Sequence, residues 1–429
     1  MSYSVALCIP TYERPAIVQE FLFECADYYI KAGIDFYFYD SSESNETEAC
    51  VKAWPDHEHI FYIRLPSSLT LAQKIAKICQ RYGIMKDYDF LWFSNDNTRY
   101  VPEDIITITQ SLDLNYDFVI FDAENIINSK KIIKDPKEIL MPFDFMHSGA
   151  SMMNVRTMLE NIDWKKYPDS ATGFGYTDFF LHRFLELNNF TALYVPVTRR
   201  KKSMLQHAPY YESFVLEDIC KNWVSFFKGL PEYYTNKMDA CRYWASKFRM
   251  YDRLDFEMHR RKRALTFPVF IRYWASWKYV TNISRRIILL YAMTPVKCIE
   301  LRVIRRKERE LKRLKAFCKA HKSIAIWGSG YNGTIVGQYM EKKGIYYDYY
   351  CANRRRAEKP KCNGKPVMEF GELKEKLGNI GFIVVVSGKH IENVLPVLKA
   401  SVNEKDILYD TIFIRDAKDE MGYVSYGNF

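Results

Sequence analysis

Three times in the first hundred residues an apolar run stops abruptly at a polar cluster. Ser4-Val-Ala-Leu-Cys-Ile9 leads into Pro10-Thr11-Tyr12-Glu13-Arg14, and Phe36-Tyr-Phe-Tyr39 into Asp40-Ser41-Ser42-Glu43-Ser44. His59-Ile-Phe-Tyr-Ile-Arg64 is a third strand candidate, and Phe90-Leu-Trp-Phe93 ends in Ser94-Asn95-Asp96-Asn97. Between them, residues 14–32 read as an amphipathic helix with Ile17, Phe21, Cys25 and Tyr28 among its apolar positions, and a second helix follows near 70–83. Strand and helix alternate with short connections, which predicts an α/β fold with a parallel sheet covered by helices. In open α/β sheets ligands bind outside the carboxyl ends of the strands, where Asp96 would sit.

Asp96 is a lone carboxylate among amide and hydroxyl oxygens. That set suits a hard divalent ion that keeps part of its water shell for phosphates. It equally describes a strand running into a polar turn.

The strand ends in order narrow the choice. A first strand ending in Pro-Thr-Tyr-x-Arg, a second ending in Asp-Ser-Ser and a fourth ending in a carboxylate cluster resemble family 2 glycosyltransferases of the GT-A fold, over roughly residues 3–200. The resemblance implies a nucleotide-sugar donor, with UDP the expected nucleotide. It implies Pro10, Thr11, Glu13 and Arg14 near the nucleotide, Asp40 at the base, and Asn95 and Asp96 at a metal-bound diphosphate. One departure matters. The family pattern is Asp-x-Asp, and this chain carries one acid in Ser94-Asn95-Asp96-Asn97. Metal affinity follows ligand charge count, so the expectation is weak Mg or Mn binding, a diphosphate held partly by basic residues, or a degenerate, inactive copy.

The acceptor side is expected further on. Tyr116–Phe121 reads as a strand, and residues 147–155 as a strand with a small-residue kink. In Gly173-Phe-Gly-Tyr-Thr-Asp178, the resemblance makes Asp178 the general base, although Thr177 stands where a Glu often precedes it. A carboxylate there would take the proton of an attacking sugar hydroxyl; the plain alternative is a helix N-terminal acid favoured by the dipole. His182 lies four residues on, on the same face. After Tyr194–Val197, Thr198-Arg199-Arg200-Lys-Lys-Ser-Met-Leu-Gln-His207 is either a solvated basic loop or one that closes over a diphosphate, with His207 as a metal ligand.

Ten cysteines occur singly with no Cys-x-x-Cys pair, so neither a zinc site nor a disulfide framework is signalled. With no secretory signal read at the start and no run of 18 or more apolar residues, a cytoplasmic location is expected. Charge is uneven. Residues 247–322 hold 22 Lys and Arg against 6 Asp and Glu, while the whole chain is +10. From Pro268, apolar residues recur at Phe270, Trp274, Trp277, Val280, Ile283, Ile287 and Leu290 at helical spacing. This predicts either an amphipathic helix on an anionic membrane surface or a connector with a basic face; no nucleic-acid module accompanies the charge. Leu301, Ile304, Leu311, Leu314 and Phe317 form a seam for docking a helix on a neighbour.

A second α/β segment follows. Ser323–Trp327 reads as a strand, and Gly328-Ser-Gly330-Tyr-Asn-Gly333 opens a helix, completing Gly-x-Gly-x-x-Gly in strand-turn-helix context. The segment resembles small Rossmann-like domains appended to sugar-modifying enzymes. Where a dinucleotide site wants an acid for the ribose, the chain has Asn353-Arg354-Arg355-Arg356, which leaves NADP open.

The expected organisation is a GT-A domain over 1–212, a basic helical connector over 213–321 and a Rossmann-like domain over 322–429. The expected function is an inverting glycosyltransferase, peripheral at the inner membrane face. It would act on a glycan or lipid-linked acceptor for surface polysaccharide and possess a homo-oligomerising or structural C-terminal domain. The alternatives are a non-catalytic nucleotide-sugar-binding assembly subunit and an NADP-linked sugar oxidoreductase or epimerase.

Overall fold

The computed structural model describes residues 3–122, 129–141, 151–164, 175–197, 200–202, 215–246, 250, 252–353, 360–374, 380–386, 389–409 and 411–421. The chain divides into two compact units: Met1–Ser246 with Tyr273–Asn282, and Lys247–Arg272 with Ile283–Phe429. The stretch 213–321 is therefore shared between them rather than forming a body of its own.

The first unit is built on strands β1 (Val5–Thr11), β2 (Ile34–Asp40), β3 (Ile60–Arg64), β4 (Phe90–Phe93), β5 (Thr98–Tyr100), β6 (Phe118–Asp122), β7 (Lys131–Ile133), β8 (Ser151–Asn154), β9 (Ala192–Pro196) and β10 (Arg200–Lys202). Its eight-stranded sheet runs β3-β2-β1-β4-β8-β6-β9-β7. The first four strands are parallel, and β8 is antiparallel to both β4 and β6. Every residue of β1, β2 and β4 is buried, as covering both faces with helices requires. Helix Pro15–Lys31 starts with Pro at its first position and turns Phe21, Cys25 and Tyr29 inward. Phe21 meets Phe36 and Phe38 edge-on at 5.9 and 6.4 Å, and Tyr29 stacks on Trp92 at 5.7 Å. Each such buried aromatic contributes about 1.5–3 kcal/mol.

The topology fixes where a ligand can go. From β1 the chain winds outward through β2 and β3, then returns to lay β4 on the other side of β1. The order reverses between β1 and β4, and a crevice opens at their carboxyl ends. Thr11 ends β1, and Ser94–Asn97 follows β4.

In the second unit, β11 (Ser323–Trp327), β12 (Tyr349–Ala352), β13 (Lys361–Cys362), β14 (Lys365–Glu369), β15 (Ile380–Val384) and β16 (Ile407–Tyr409) form one sheet in the order β13-β14-β12-β11-β15-β16. All neighbours are parallel except β13, which is antiparallel to β14. Strand β16 stops at Tyr409, and Thr411–Glu420 is helical.

Two expectations for the basic stretch change. Residues 268–290 are not one helix but parts of three, Phe267–Arg272, Trp277–Val280 and Arg285–Met293. Thr281 and Ser284 take extended backbone, as β-branched and hydroxyl residues readily do, and they divide the run. Phe270, Trp277 and Val280 are buried, whereas Trp274 and Leu290 of the same run are 47% and 64% exposed. Helix Val296–Ala320 buries Ile299, Val303 and Leu314, with Leu311 and Phe317 partly packed on the core of the second unit. Leu301 and Ile304, assigned to the same seam, are instead 55% and 52% exposed.

Candidate functional site

The crevice between β1 and β4 is closed by a hydrogen bond across it. Thr11 Oγ1 donates to Asp96 Oδ2 at 2.9 Å, and an Arg14 guanidinium nitrogen donates to Asp96 Oδ1 at 3.0 Å. Asp96 is buried, while Arg14 remains 39% exposed at its side chain. Asn95 Oδ1 accepts from the Asn97 amide at 3.1 Å, an Asx turn that shapes the loop after β4. The Asn97 side-chain oxygen and the Ser41 hydroxyl are buried and have no hydrogen-bond partner among the described residues. Buried polar atoms are rarely left so; both follow the carboxyl ends of strands in this region.

Lys74 is a site residue that sequence reasoning missed. It is 6% exposed, its Nζ donates to the Thr11 carbonyl at 3.1 Å, and it lies 5.6 Å from the Tyr12 ring centre. Burial pushes its pKa down; Asp40 and Asp96 pull it up and Arg14 opposes them. It has no ion-pair partner among the described residues. The signal was present: Thr70 and Gln73 form a capping box that starts helix Leu71–Cys79 soon after β3, so Lys74 falls in its first turns at the carboxyl edge.

Asp40 ends β2 opposite Thr11 and Arg64, and it is fully buried. Its Oδ1 accepts from the Ser42 amide at 2.9 Å and from the Ser42 hydroxyl; its Oδ2 accepts from Tyr62 at 2.8 Å and lies 3.5 Å from Arg64. A nucleobase would reach it only by displacing one of these. Glu13 has a positive φ of 49°. Its amide donates to Ser42 Oγ, and its carboxylate accepts from the Glu43 and Ser44 amides and the Ser44 hydroxyl. The Ser44 amide foremost holds Glu13 below the usual carboxylate range. Glu13 thus clamps the loop after β1 to the loop after β2. Pro10 is buried within β1 opposite Tyr39.

Helix Gly175–Glu186 brings Asp178 to the same edge. Phe180 packs at 6.0 Å from Phe93 and 5.4 Å from Phe118, and Phe184 lies 5.0 Å from Phe118. Phe118 is level with Leu91 through β8, two residues below Phe93. The helix therefore runs against the direction of β4, and its first turn, with Asp178, lies toward the carboxyl ends. It also packs on helix Leu71–Cys79, which carries Lys74. Asp178 is 39% exposed at its side chain. His182 Nδ1 donates to the Asp178 carbonyl at 2.8 Å and lies 3.3 Å from its carboxylate. The Asp178 carboxylate raises the His182 pKa against the opposing effect of burial. Thr177 is buried, and its hydroxyl has no hydrogen-bond partner among the described residues.

Strand β10 pairs antiparallel with β5, setting Lys202 opposite Thr98 and Lys201 opposite Arg99. The backbone of the basic segment at Arg200–Lys202 thus lies beside the strand that follows Asp96. Arg199, His207 and the side chain of Arg200 lie outside the described residues. Among the described residues, no group of three His, Cys, Asp or Glu side chains is arranged to hold a metal ion. A hard cation needs several oxygen ligands, and the carboxylate here is single, with both oxygens bonded. These residues alone do not fit a resident ion.

In the second unit the glycine turn follows β11, where the order reverses toward β15. Gly328 has φ +117°, which favours glycine. A Cβ on Gly333 would stand 1.7 Å from the Gly328 carbonyl, whereas one on Gly330 would meet nothing within 4 Å. Two of the three glycines are thus explained by the turn itself. Asn353 follows β12, no acid stands there, and Arg354–Arg356 lie outside the described residues. No helix among the described residues is long and apolar enough to cross a membrane.

No protein-family model matches the sequence, and no curated protein matches it. Among solved structures, the chain is similar to the mannosyltransferase PcManGT from Pyrobaculum calidifontis in complex with GDP-Man and Mn2+, at 11% identity over 68% of this chain and 86% of that one, with a TM-score of 0.39. It is similar to S. aureus TarS 1-349 at 12% identity over 72% and 91%, with a TM-score of 0.39. A third is glucosyl-3-phosphoglycerate synthase from Mycobacterium tuberculosis in complex with Mn2+, UDP and glucosyl-3-phosphoglycerate, at 10% identity over 53% and 81%, with a TM-score of 0.35. At such likeness, the chemistry of this site has to rest on its own residues.

Proposed function

We propose that this chain is a glycosyltransferase of the GT-A kind, transferring a sugar from a nucleotide-sugar donor to a glycan or lipid-linked acceptor hydroxyl. The observation that carries the reading is the Thr11–Asp96 bond across the β1–β4 crevice, flanked by Arg14 and the buried Lys74. A crevice at a switch point suits a nucleotide. An ammonium with no carboxylate partner and an exposed guanidinium suit its diphosphate.

In the proposed reaction the donor diphosphate lies against Arg14 and Lys74. The acceptor hydroxyl oxygen attacks the anomeric carbon from the face opposite the diphosphate. Its proton passes to the Asp178 carboxylate, the bond from the anomeric carbon to the diphosphate oxygen breaks, and the nucleoside diphosphate leaves with the electron pair. Attack from the opposite face inverts the anomeric centre. Arg14 and Lys74 stabilise the charge that develops on the leaving oxygen. His182 positions Asp178 and, when protonated, occupies its carboxylate as an ion-pair partner. The Mg or Mn ion of the sequence resemblance enters no step.

The crowding of Asp40 and the single carboxylate favour one further reading, a subunit that binds nucleotide sugar without turning it over. The second unit we read as Rossmann-like, supported by its parallel order β14-β12-β11-β15-β16, in a structural or assembling role. The deciding experiment is a panel of UDP- and GDP-sugars, with binding followed by calorimetry and nucleoside diphosphate release by phosphorus NMR. Binding with release that Asp178→Asn abolishes supports transfer. Binding without release from any donor–acceptor pair selects the non-catalytic reading, and absence of nucleotide binding sinks both.

A further inference from the structure

The acids of the second unit's helical part are largely consumed inside it. Arg306 pairs with Glu257 at 2.6 Å and Asp416 at 2.9 Å. Arg415 pairs with Asp252 at 2.9 Å and Asp255 at 3.4 Å. Asp419 takes both Lys307 at 2.7 Å and Arg261 at 3.2 Å. Arg260 donates to the carbonyls of Thr294 and Leu265. These contacts tie helices Arg253–Arg261, Val296–Ala320 and Thr411–Glu420 together, and they use up Arg260 and Arg261, which composition alone would have offered to a membrane.

A different set of cations is left over. A cleft of about 640 Å³ lies between helices Arg253–Arg261 and Val296–Ala320, with Arg253, Arg302, Arg305, Arg306 and Arg309 in its lining. Arg253, Arg302 and Arg305 are exposed and have no hydrogen bond or ion pair among the described residues. Arg309 reaches only Glu310, at 3.5 Å, and is 75% exposed. Along the long helix, Arg302, Arg305 and Arg309 recur at three- and four-residue spacing, so their guanidinium groups share one face. The one acid in the lining, Glu257, is spent on Arg306. Like charges converge on a cleft at a cost unless an anion joins them.

An exposed apolar side chain shares the lining with the arginines. Leu301 lines the cleft and is 55% exposed, and Ile304 on the same helix is 52% exposed. Planar guanidinium groups bind phosphate oxygens bidentately. A free nucleotide would use the arginines and leave Leu301 in water, whereas a lipid phosphate uses both. We propose that this cleft binds the phosphate headgroup of an anionic lipid, with Leu301 and Ile304 entering the adjoining acyl boundary. The site belongs to the second unit alone and stands whether or not the first unit transfers sugar.

The test is co-sedimentation of the full chain with vesicles of phosphatidylcholine alone or with phosphatidylglycerol added, and with inorganic diphosphate as competitor. The expected result is binding to the phosphatidylglycerol vesicles at least tenfold tighter than to the neutral ones. It should weaken at least tenfold in Arg302→Ser/Arg305→Ser, and severalfold in Leu301→Ser/Ile304→Ser. Both double variants alter exposed side chains outside the ion-pair network, so their melting temperatures should match wild type, which keeps loss of binding distinct from loss of fold. Equal or absent binding to both kinds of vesicle overturns the proposal. So does tight diphosphate binding without vesicle binding, which would make the cleft a site for a soluble phosphate. Unchanged vesicle binding in the arginine variant moves the contact elsewhere and overturns it as well.

Discussion

Lys74→Met separates a ligand-holding lysine from a structural one. The side chain is buried, makes one hydrogen bond to Thr11, and faces Asp40 and Asp96 without pairing to either. In the free protein two effects oppose. Losing a charged hydrogen bond costs about 1.5–3 kcal/mol. Removing a buried, unpaired ammonium and filling the space with a thioether of similar length returns a comparable amount, as replacement of buried charges by apolar groups often does. The net change should stay within about 1 kcal/mol, a melting shift of about 2–4 °C for a unit of this size. With nucleotide bound nothing offsets the loss, because the diphosphate forfeits a charge-assisted bond of about 1.5–3 kcal/mol, or about 10- to 150-fold in affinity.

Calorimetry with UDP and GDP reads the affinity, and a thermal scan without ligand reads the stability. Lys74→Arg, which keeps the charge, should recover part of the affinity. A drop of many degrees with affinity unchanged within about twofold would refute the reasoning. Lys74 would then be an anchor of helix Leu71–Cys79 on Thr11, and the diphosphate would have to be held elsewhere.

Asp178→Asn should leave nucleotide affinity intact and lower transfer by about 10² or more, the usual contribution of a positioned base; near wild-type turnover would make Asp178 a helix-end acid. Because the Asp178 carboxylate raises the His182 pKa above its ordinary 6.5, the stabilisation from that pair is fully present below about pH 6.5 and is lost as pH rises through the folded value. Transfer should therefore climb through the same window as the imidazolium discharges, and the inflection should vanish in His182→Gln; an unaltered pH profile in that variant removes His182 from the site. Asp96→Ala should abolish any dependence of UDP affinity on Mn, and dependence that survives takes the ion away from Asp96. Gly333→Ala should unfold the turn after β11, since its Cβ would overlap the Gly328 carbonyl, while Gly330→Ala should melt like wild type; circular dichroism and melting distinguish the two, and equal tolerance would show that the turn relaxes.

Much of the first unit was legible because its strands end where their chemistry begins. Thr11, Asp40 and Asp96 were picked out as strand ends, and all three stand at the carboxyl edge of neighbouring parallel strands. What escaped was partnership. A strand end read from sequence shows that a carboxylate is present but not what occupies it. Tyr62 and Arg64, taken only as parts of a strand, turn out to bond Asp40. Glu13 reads as a ligand contact and acts as a clamp between loops, a role set by a positive φ that no composition reveals. In the basic stretch, periodicity gave the wrong continuity. Phe270, Trp277 and Val280 do sit on a common spacing and are buried, but the helix breaks between Arg272 and Trp277 and again at the extended Thr281 and Ser284, and Trp274 stays exposed. Leu301 and Ile304 fit the docking seam by spacing, and only the fold shows that the long helix turns them outward while Ile299, Val303 and Leu314 face in.

The charges at the β1–β4 crevice argue for what it holds. Asp40 lies beside Arg64, and Asp96 is matched by Arg14. Glu13 is held by the amides of the loop after β2, which leaves Lys74 as the buried cation of the crevice with no ion-pair partner among the described residues, its ammonium already destabilised by burial. An oxygen-lined cation site has the opposite excess, several anionic ligands around one ion. A crevice with an unpaired ammonium, and with a hydroxyl at Ser41 and an amide oxygen at Asn97 that have no hydrogen-bond partner among the described residues, is instead poised for an anion that brings its own hydrogen-bonding groups. A nucleoside diphosphate has both: phosphate oxygens for Lys74 and Arg14, and donors on ribose and base for acceptors left open. Under the proposed function, the single acid after β4 and the buried lysine beside it are two parts of one arrangement. One carboxylate rather than several at the strand end, with an ammonium close by, favours a site that takes phosphate through fixed cations.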